Sequence, residues 1–203
     1  MTLLAMLRHG QTQWSHERRI QGRTDIPLND AGRAALAGRR LPDEFGALQV
    51  VSSPLKRCVG TAQALGLRDV QLEPRLVEMY WGAWEGRSLS ELRAEHGDAM
   101  AENEARGLDF RPPGGESPRQ VLARVTDWLA EIAAARRPTL AVCHRGVIRV
   151  VFATAYAWDL LDKPPAKLDW DALHVFDLDH AGKPAVLRLN VPLAAAPTTT
   201  PQA

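Results

Sequence analysis

Two apolar runs, far apart in the chain, stop in the same way. Leu3 to Leu7 is continuous and apolar and breaks off at Arg8, His9 and Gly10; Leu140 to Cys143 breaks off at His144, Arg145 and Gly146. Short continuous apolar runs suit strands buried on both faces. In open α/β sheets, ligands collect in the crevice beyond the carboxyl ends of the strands. Two strands that each deliver a histidine and an arginine to that edge line the crevice with imidazole and guanidinium. A guanidinium is a planar fork of donors that fits phosphate oxygens two at a time. A phosphate group is therefore the ligand this pairing suggests.

Strands and helices alternate around these runs. Gln11 to Asp25 is polar, rich in arginine and without a clear period, which predicts a long loop over the strand ends. Asn29 is a good N-cap for a helix from Ala31 to Leu41, stopped by Pro42. Leu48 to Ser52 reads as a strand, followed by a helix capped by Ser53, with Pro54 at its first position, that runs to Leu65 and stops at Gly66. Val70 to Leu72 is a short strand and Glu73 to Gly86 an irregular aromatic stretch. Two capping boxes, Ser88 with Glu91 and Ser117 with Gln120, open further helices, the first running through about His96. Asp98 to Gly107 is expected to be helical but loosely held, and Val147 to Tyr156 is an apolar helix. Leu173 to Leu178 and Ala185 to Val191 read as a hairpin. The alternation predicts a three-layer α/β/α sandwich with a mostly parallel central sheet.

The length of 203 residues fits a single domain, expected over residues 1–193 with a lid-like insertion at about 86–116. The last ten residues, 194–203, are small, polar and rich in proline and are expected to be disordered. A formal net charge of +1 gives no global field for nucleic acid or an anionic membrane, so any anion binding must be local. No signal peptide is found, and no apolar run approaches the ~20 residues of a membrane helix. Cys58 and Cys143 form neither a metal spacing nor a disulfide framework and read as buried, inert thiols of a cytoplasmic protein. His16, His96, His174 and His180 lack a motif and are expected at the surface or in loops.

Arg57 lies near the start of a helix that follows a strand, so it too starts from the carboxyl edge. Together with Arg8, His9, His144 and the N–H groups of two helix starts, it can stabilise a phosphoryl group in flight. A neutral imidazole there can attack phosphorus and form a covalent intermediate. A carboxylic acid must then protonate the leaving alkoxide, and Glu78 and Glu85 are both candidates.

The run L-R-H-G-Q-T-Q-W, with R-I-Q-G-R-T-D-I-P-L after it, resembles the histidine phosphatase superfamily, also called phosphoglycerate mutase-like. S-S-P-L-K-R with Thr61 and Ala62, L-V-E-M-Y-W-G-A-W-E-G, P-G-G-E-S and C-H-R-G-V-I-R follow in family order, over residues 3 to about 150. The likeness is greatest to small phosphatases of the α-ribazole phosphatase or broad-specificity type. It implies that His9 is the phosphorylated nucleophile and that Arg8, Arg57 and His144 hold the phosphoryl group. It makes Glu78 the general acid and then the base for water, and Glu85 structural. It adds Ser15, Gln21, Gly22 and Arg145 as phosphate or substrate contacts, and implies no metal and no cofactor. The partner it implies is a small phosphorylated metabolite, with neither nucleic acid nor membrane, on a monomer or homodimer.

Four positions depart from the family pattern. Ser15 replaces a common asparagine, Gly60 a glutamine, Cys143 a serine and Arg145 a glycine. Arg145 sets a bulky cation beside the pocket, where it narrows the site or favours extra negative charge on the substrate. The short interval Gly86 to Arg111 and a tail without lysine lean toward a phosphatase over a phosphoglycerate mutase. A non-catalytic module that binds a phosphorylated ligand is the third reading.

Overall fold

Thr2–Arg8 forms strand β1, and its alternating side chains divide the core in two. Leu4 and Met6 face one side; Ala5 and Leu7 face the other. The computed structural model describes residues 1–196. Gln13–His16 is a one-turn helix, α1, and Asp30–Leu36 is α2. Then come Arg39–Arg40 (β2), Gln49–Ser52 (β3), Lys56–Ala64 (α3) and Gln71–Leu72 (β4). Leu89–Glu104 is α4, Pro118–Ala134 α5, Thr139–Cys143 β5 and Arg145–Ala155 α6. Leu173–Leu178 (β6), Pro184–Val191 (β7) and Ala194–Ala195 (β8) complete the order.

The main sheet runs β4-β3-β5-β1-β6-β7. The first four strands are parallel, and β6 is antiparallel to both of its neighbours. On one face, Val121, Val125, Trp128 and Leu129 of α5 and Val147, Ile148 and Val151 of α6 pack against Leu4, Met6, Ala141 and Cys143. On the other, Leu36 and Leu65, at the ends of α2 and α3, join Leu28, Leu41 and Phe45 against Ala5, Leu7 and Leu140. The expected three-layer α/β architecture is present. Cys58 and Cys143 are buried, with burial raising both thiols above their ordinary range.

Several local expectations change. The Gln11–Asp25 loop contains α1, because Thr12 and Ser15 form a capping box with each other. Helix α2 stops at Leu36, well short of Leu41, and the chain turns at Gly38 to pair Arg39 and Arg40 with Ala195 and Ala194. That pairing gives residues 194 and 195 a strand, against the expected disorder; 197–203 lie outside the described residues. Helix α3 begins at Lys56 with no side-chain cap, so Ser53 is not its N-cap. The Ser88 helix does not stop near His96 but runs on as α4 to Glu104 through a kink at Gly97, and Met100 in its second half is buried. His174 is no surface residue: it sits on β6, fully buried, with Trp170 edge-on to its ring. No helix among the described residues is long and apolar enough to cross a membrane.

Candidate active site

Register brings the three strand ends together. Arg8 pairs with Cys143, and Ser52 with Val142. The backbone continues this alignment one residue further, with His9 N–H donating to Cys143 C=O (3.0 Å) and Ser53 N–H to Val142 C=O (2.9 Å). Gly10 N–H donates to Thr61 Oγ1 of α3 (2.9 Å). His9 is thus held by β5 on one side and α3 on the other, and its ring centroid lies 5.3 Å from that of His144.

The tautomer of His9 follows from its partner. Nδ1 lies 2.7 Å from Gly10 C=O, which can only accept, so Nδ1 carries the proton and Nε2 keeps its lone pair. Burial, then the charges of Arg8 and Arg57, push His9 well below the ordinary imidazole range and keep it neutral. Arg8 lies beside it with Nε buried and without a partner among the described residues. A buried guanidinium donor next to a neutral imidazole suits an anion.

Arg57 is fully buried and tied by three bonds. Its Nη2 donates to Gly22 C=O (2.7 Å), its Nη1 to Thr24 C=O (2.9 Å) and its Nε to His144 Nδ1 (3.3 Å). A guanidinium has five N–H groups, so one remains on each terminal nitrogen. Because His144 accepts at Nδ1, its Nε2 carries the proton and donates to Ser53 Oγ (2.8 Å). Both ring nitrogens of His144 are therefore used by protein, and it braces Arg57. Ser53, missed as a site residue, carries a faint signal in sequence: it stands between a strand end and Pro54.

Glu85 organises the loop that organises Arg57. Its carboxylate accepts from the backbone N–H of Arg23 (2.7 Å), Thr24 (2.9 Å) and Trp81 (3.3 Å), and from the Thr24 hydroxyl. Gly22 must be glycine: φ is +53°, and a Cβ would lie 1.8 Å from Glu85 Oε1.

Glu78 points elsewhere. Oε1 accepts from Met79 N–H (2.8 Å) and Oε2 from Gly146 N–H (3.2 Å), in the first turn of α6. A Cβ on Gly146 would lie 2.3 Å from Glu78 Oε1. Gly146→Ala is therefore expected to fold normally, since alanine suits a helix, while displacing the carboxylate and lowering kcat by roughly 10². A melting curve beside steady-state kinetics checks it; unchanged kcat would refute the coupling.

The remaining expected contacts are less central. The Ser15 hydroxyl accepts from Thr12 N–H (2.9 Å) and donates to Thr12 C=O (3.0 Å), closing its own turn. Gln21 accepts from the Thr12 hydroxyl (2.8 Å), and Gly22 contributes the carbonyl that holds Arg57. Arg145 stacks on Trp170. The helix starts expected to bind an anion are both occupied by carboxylates, α3 by Asp25 and α6 by Glu78. Among the described residues, no three His, Cys, Asp or Glu side chains gather as a metal site would.

Burial lowers His9, His144 and His174 from an ordinary value of 6.5. Below about 6.5 the unfolded chain then binds more protons than the folded one, so stability falls as pH drops through that value and these groups leave it flat above. Unfolding free energies from urea titration are expected to drop between about pH 7.5 and 5.5, by about 1 kcal/mol for each histidine that stays neutral. No drop would mean that these rings protonate in the fold.

The chain is similar to known proteins over most of its length. The family model for the histidine phosphatase superfamily (branch 1) matches residues 4–192. Glucosyl-3-phosphoglycerate phosphatase of Mycobacterium tuberculosis (strain ATCC 25618 / H37Rv) is 35% identical over 190 residues, covering 84% of this chain and 79% of that protein. Phosphoglycerate mutase-like protein 4 of Arabidopsis thaliana is 36% identical over 163 residues, covering 75% and 70%. A solved mycobacterial glucosyl-3-phosphoglycerate phosphatase, in complex with VO3, superposes with a TM-score of 0.76 at 28% identity, covering 94% of this chain and all of that one. With two buried histidines and two arginines at one sheet edge and a family match over nearly its whole length, the chain belongs to the histidine phosphatase superfamily.

Proposed function

We propose that the protein hydrolyses small phosphomonoesters through a phosphohistidine on His9, without a metal ion. The observation that carries this reading is the bond from His9 Nδ1 to Gly10 C=O, which leaves a neutral Nε2 lone pair facing the crevice. Nε2 attacks phosphorus as the bond to the ester oxygen breaks, and Glu78 gives the leaving oxygen its proton. The unpartnered Nε–H of Arg8 and the two remaining N–H groups of Arg57 bear on the phosphoryl oxygens as charge moves onto them. Water then attacks the phosphohistidine, Glu78 takes its proton, and phosphate leaves. In this reading residues 1–193 form one catalytic domain, and 86–116 cover the substrate.

The names of the mycobacterial relatives make a sugar-linked phosphoglycerate one ester to try. A single-turnover reaction with excess chelator, quenched in alkali, is expected to leave phosphate on the His9 peptide by mass spectrometry. Hydrolysis with no labelled peptide would overturn the covalent route. A requirement for a bisphosphorylated primer would favour the mutase reading.

A further inference from the structure

Arg145 is the first residue of α6, between His144 and the Gly146 that holds Glu78. It is exposed, and its guanidinium carbon lies 4.9 Å from the centre of the Trp170 ring. An aromatic face orients a guanidinium without using its N–H donors. The ion pairs among the described residues leave Arg145 out, so its donors face solvent.

Its place is set by the sheet. β1 and β6 pair as far as Met6 and His174, and residues 170–172, just ahead of β6, form a turn in which Ala172 N–H donates to Asp169 C=O (3.3 Å). Trp170 and Asp171 thus lie in the turn that leads into β6, the strand beside β1. After burial, Arg145 is the strongest influence lowering Arg8, and the exposed Asp171 acts on Arg8 in the opposite sense. An oriented, unpaired cation stands within electrostatic reach of the Arg8 side chain, outside the group of residues that surround His9.

A purely structural role would be a clip that holds the loop between α6 and β6. Arg149, one turn further along α6, makes the same kind of stack, 5.2 Å from the Trp158 ring. Two such stacks on one helix face would serve a clip equally, but of the two only Arg145 directly follows His144 and bears on Arg8.

We propose that Arg145, braced on Trp170, is a specificity residue that receives a second anionic group of the substrate beside the phosphate held at Arg8. The favoured esters are then those carrying a further anion close to the ester. This deepens the phosphatase reading and uses hydrolysis as its first readout.

The test compares 3-phosphoglycerate with glycerol 3-phosphate, which differ by a carboxylate in place of a hydroxymethyl group. Fructose 1,6-bisphosphate against fructose 6-phosphate asks whether a second phosphate serves instead. Wild type is expected to prefer the doubly anionic member of at least one pair. Arg145→Gln is expected to reduce that preference about tenfold, mainly through KM, as fits one charge-assisted contact at a wet rim. Arg145→Lys should restore part of it, and Arg149→Gln should leave it unchanged. No preference in wild type, an unchanged preference in Arg145→Gln, or an equal loss in Arg149→Gln would overturn the proposal. If wild type hydrolyses neither member of either pair, the hydrolysis reading falls. The calorimetric Kd ratios for the same esters then decide the subsite by the same criteria.

Discussion

His9→Ala is expected to reduce kcat/KM on every phosphomonoester by roughly 10⁴- to 10⁶-fold, the scale seen when a covalent nucleophile is removed. The size follows from the geometry. The other groups of the crevice are donors and a carboxylate already engaged by backbone, and Nε2 of His9 is the buried lone pair aimed among them. His144 cannot stand in, because Nδ1 faces Arg57 and Nε2 faces Ser53. Phosphate binding should survive, since the arginines remain, and inorganic phosphate should still raise the melting temperature of the variant. Activity within tenfold of wild type would mean that water attacks the ester directly and would end the phosphohistidine reading.

Glu85→Ala is expected to act at a distance and on two quantities at once. It removes the acceptor for three backbone N–H groups and a hydroxyl in the Arg23–Thr24 and Trp81 segments. Leaving part-buried donors unpaired costs about 2–4 kcal/mol in total, or several degrees of melting temperature in a chain of this length. The same loop presents Gly22 and Thr24 carbonyls to Arg57, so its guanidinium loses its register, and kcat should fall by roughly 10². Glu85→Gln keeps one carbonyl acceptor and should recover part of both. Loss of activity with no loss of stability would instead place Glu85 in the chemistry.

How much was legible beforehand depended on where each interaction lies in sequence. The apolar runs ending at His9 and His144 and the two capping boxes are local patterns, and each reads directly into an element. The bonds between Ser15 and Thr12 span only three residues, yet the one-turn helix they cap has no apolar period to announce it. Ser53 looked like a helix cap because Pro54 follows it; only the pairing of β3 with β5 shows that its hydroxyl meets His144. The role of Glu85 needs the Gly22–Thr24 loop folded over it, a contact across some sixty residues of chain. His174 has no motif, and its burial follows from β6 lying between two other strands.

The pairing of Leu4 with Thr139 sets when the site can exist as well as where. Closing a chain segment of that length costs about 4 kcal/mol of entropy before any contact across it is repaid. Parallel strands so far apart in sequence form slowly for the same reason. During synthesis His9 emerges well before His144. Until β5 slides in beside β1, His9 is an ordinary exposed imidazole with an ordinary proton affinity. Recovery of catalysis on refolding should therefore follow the slowest structural phase, and no early fragment of the chain can carry a share of the activity.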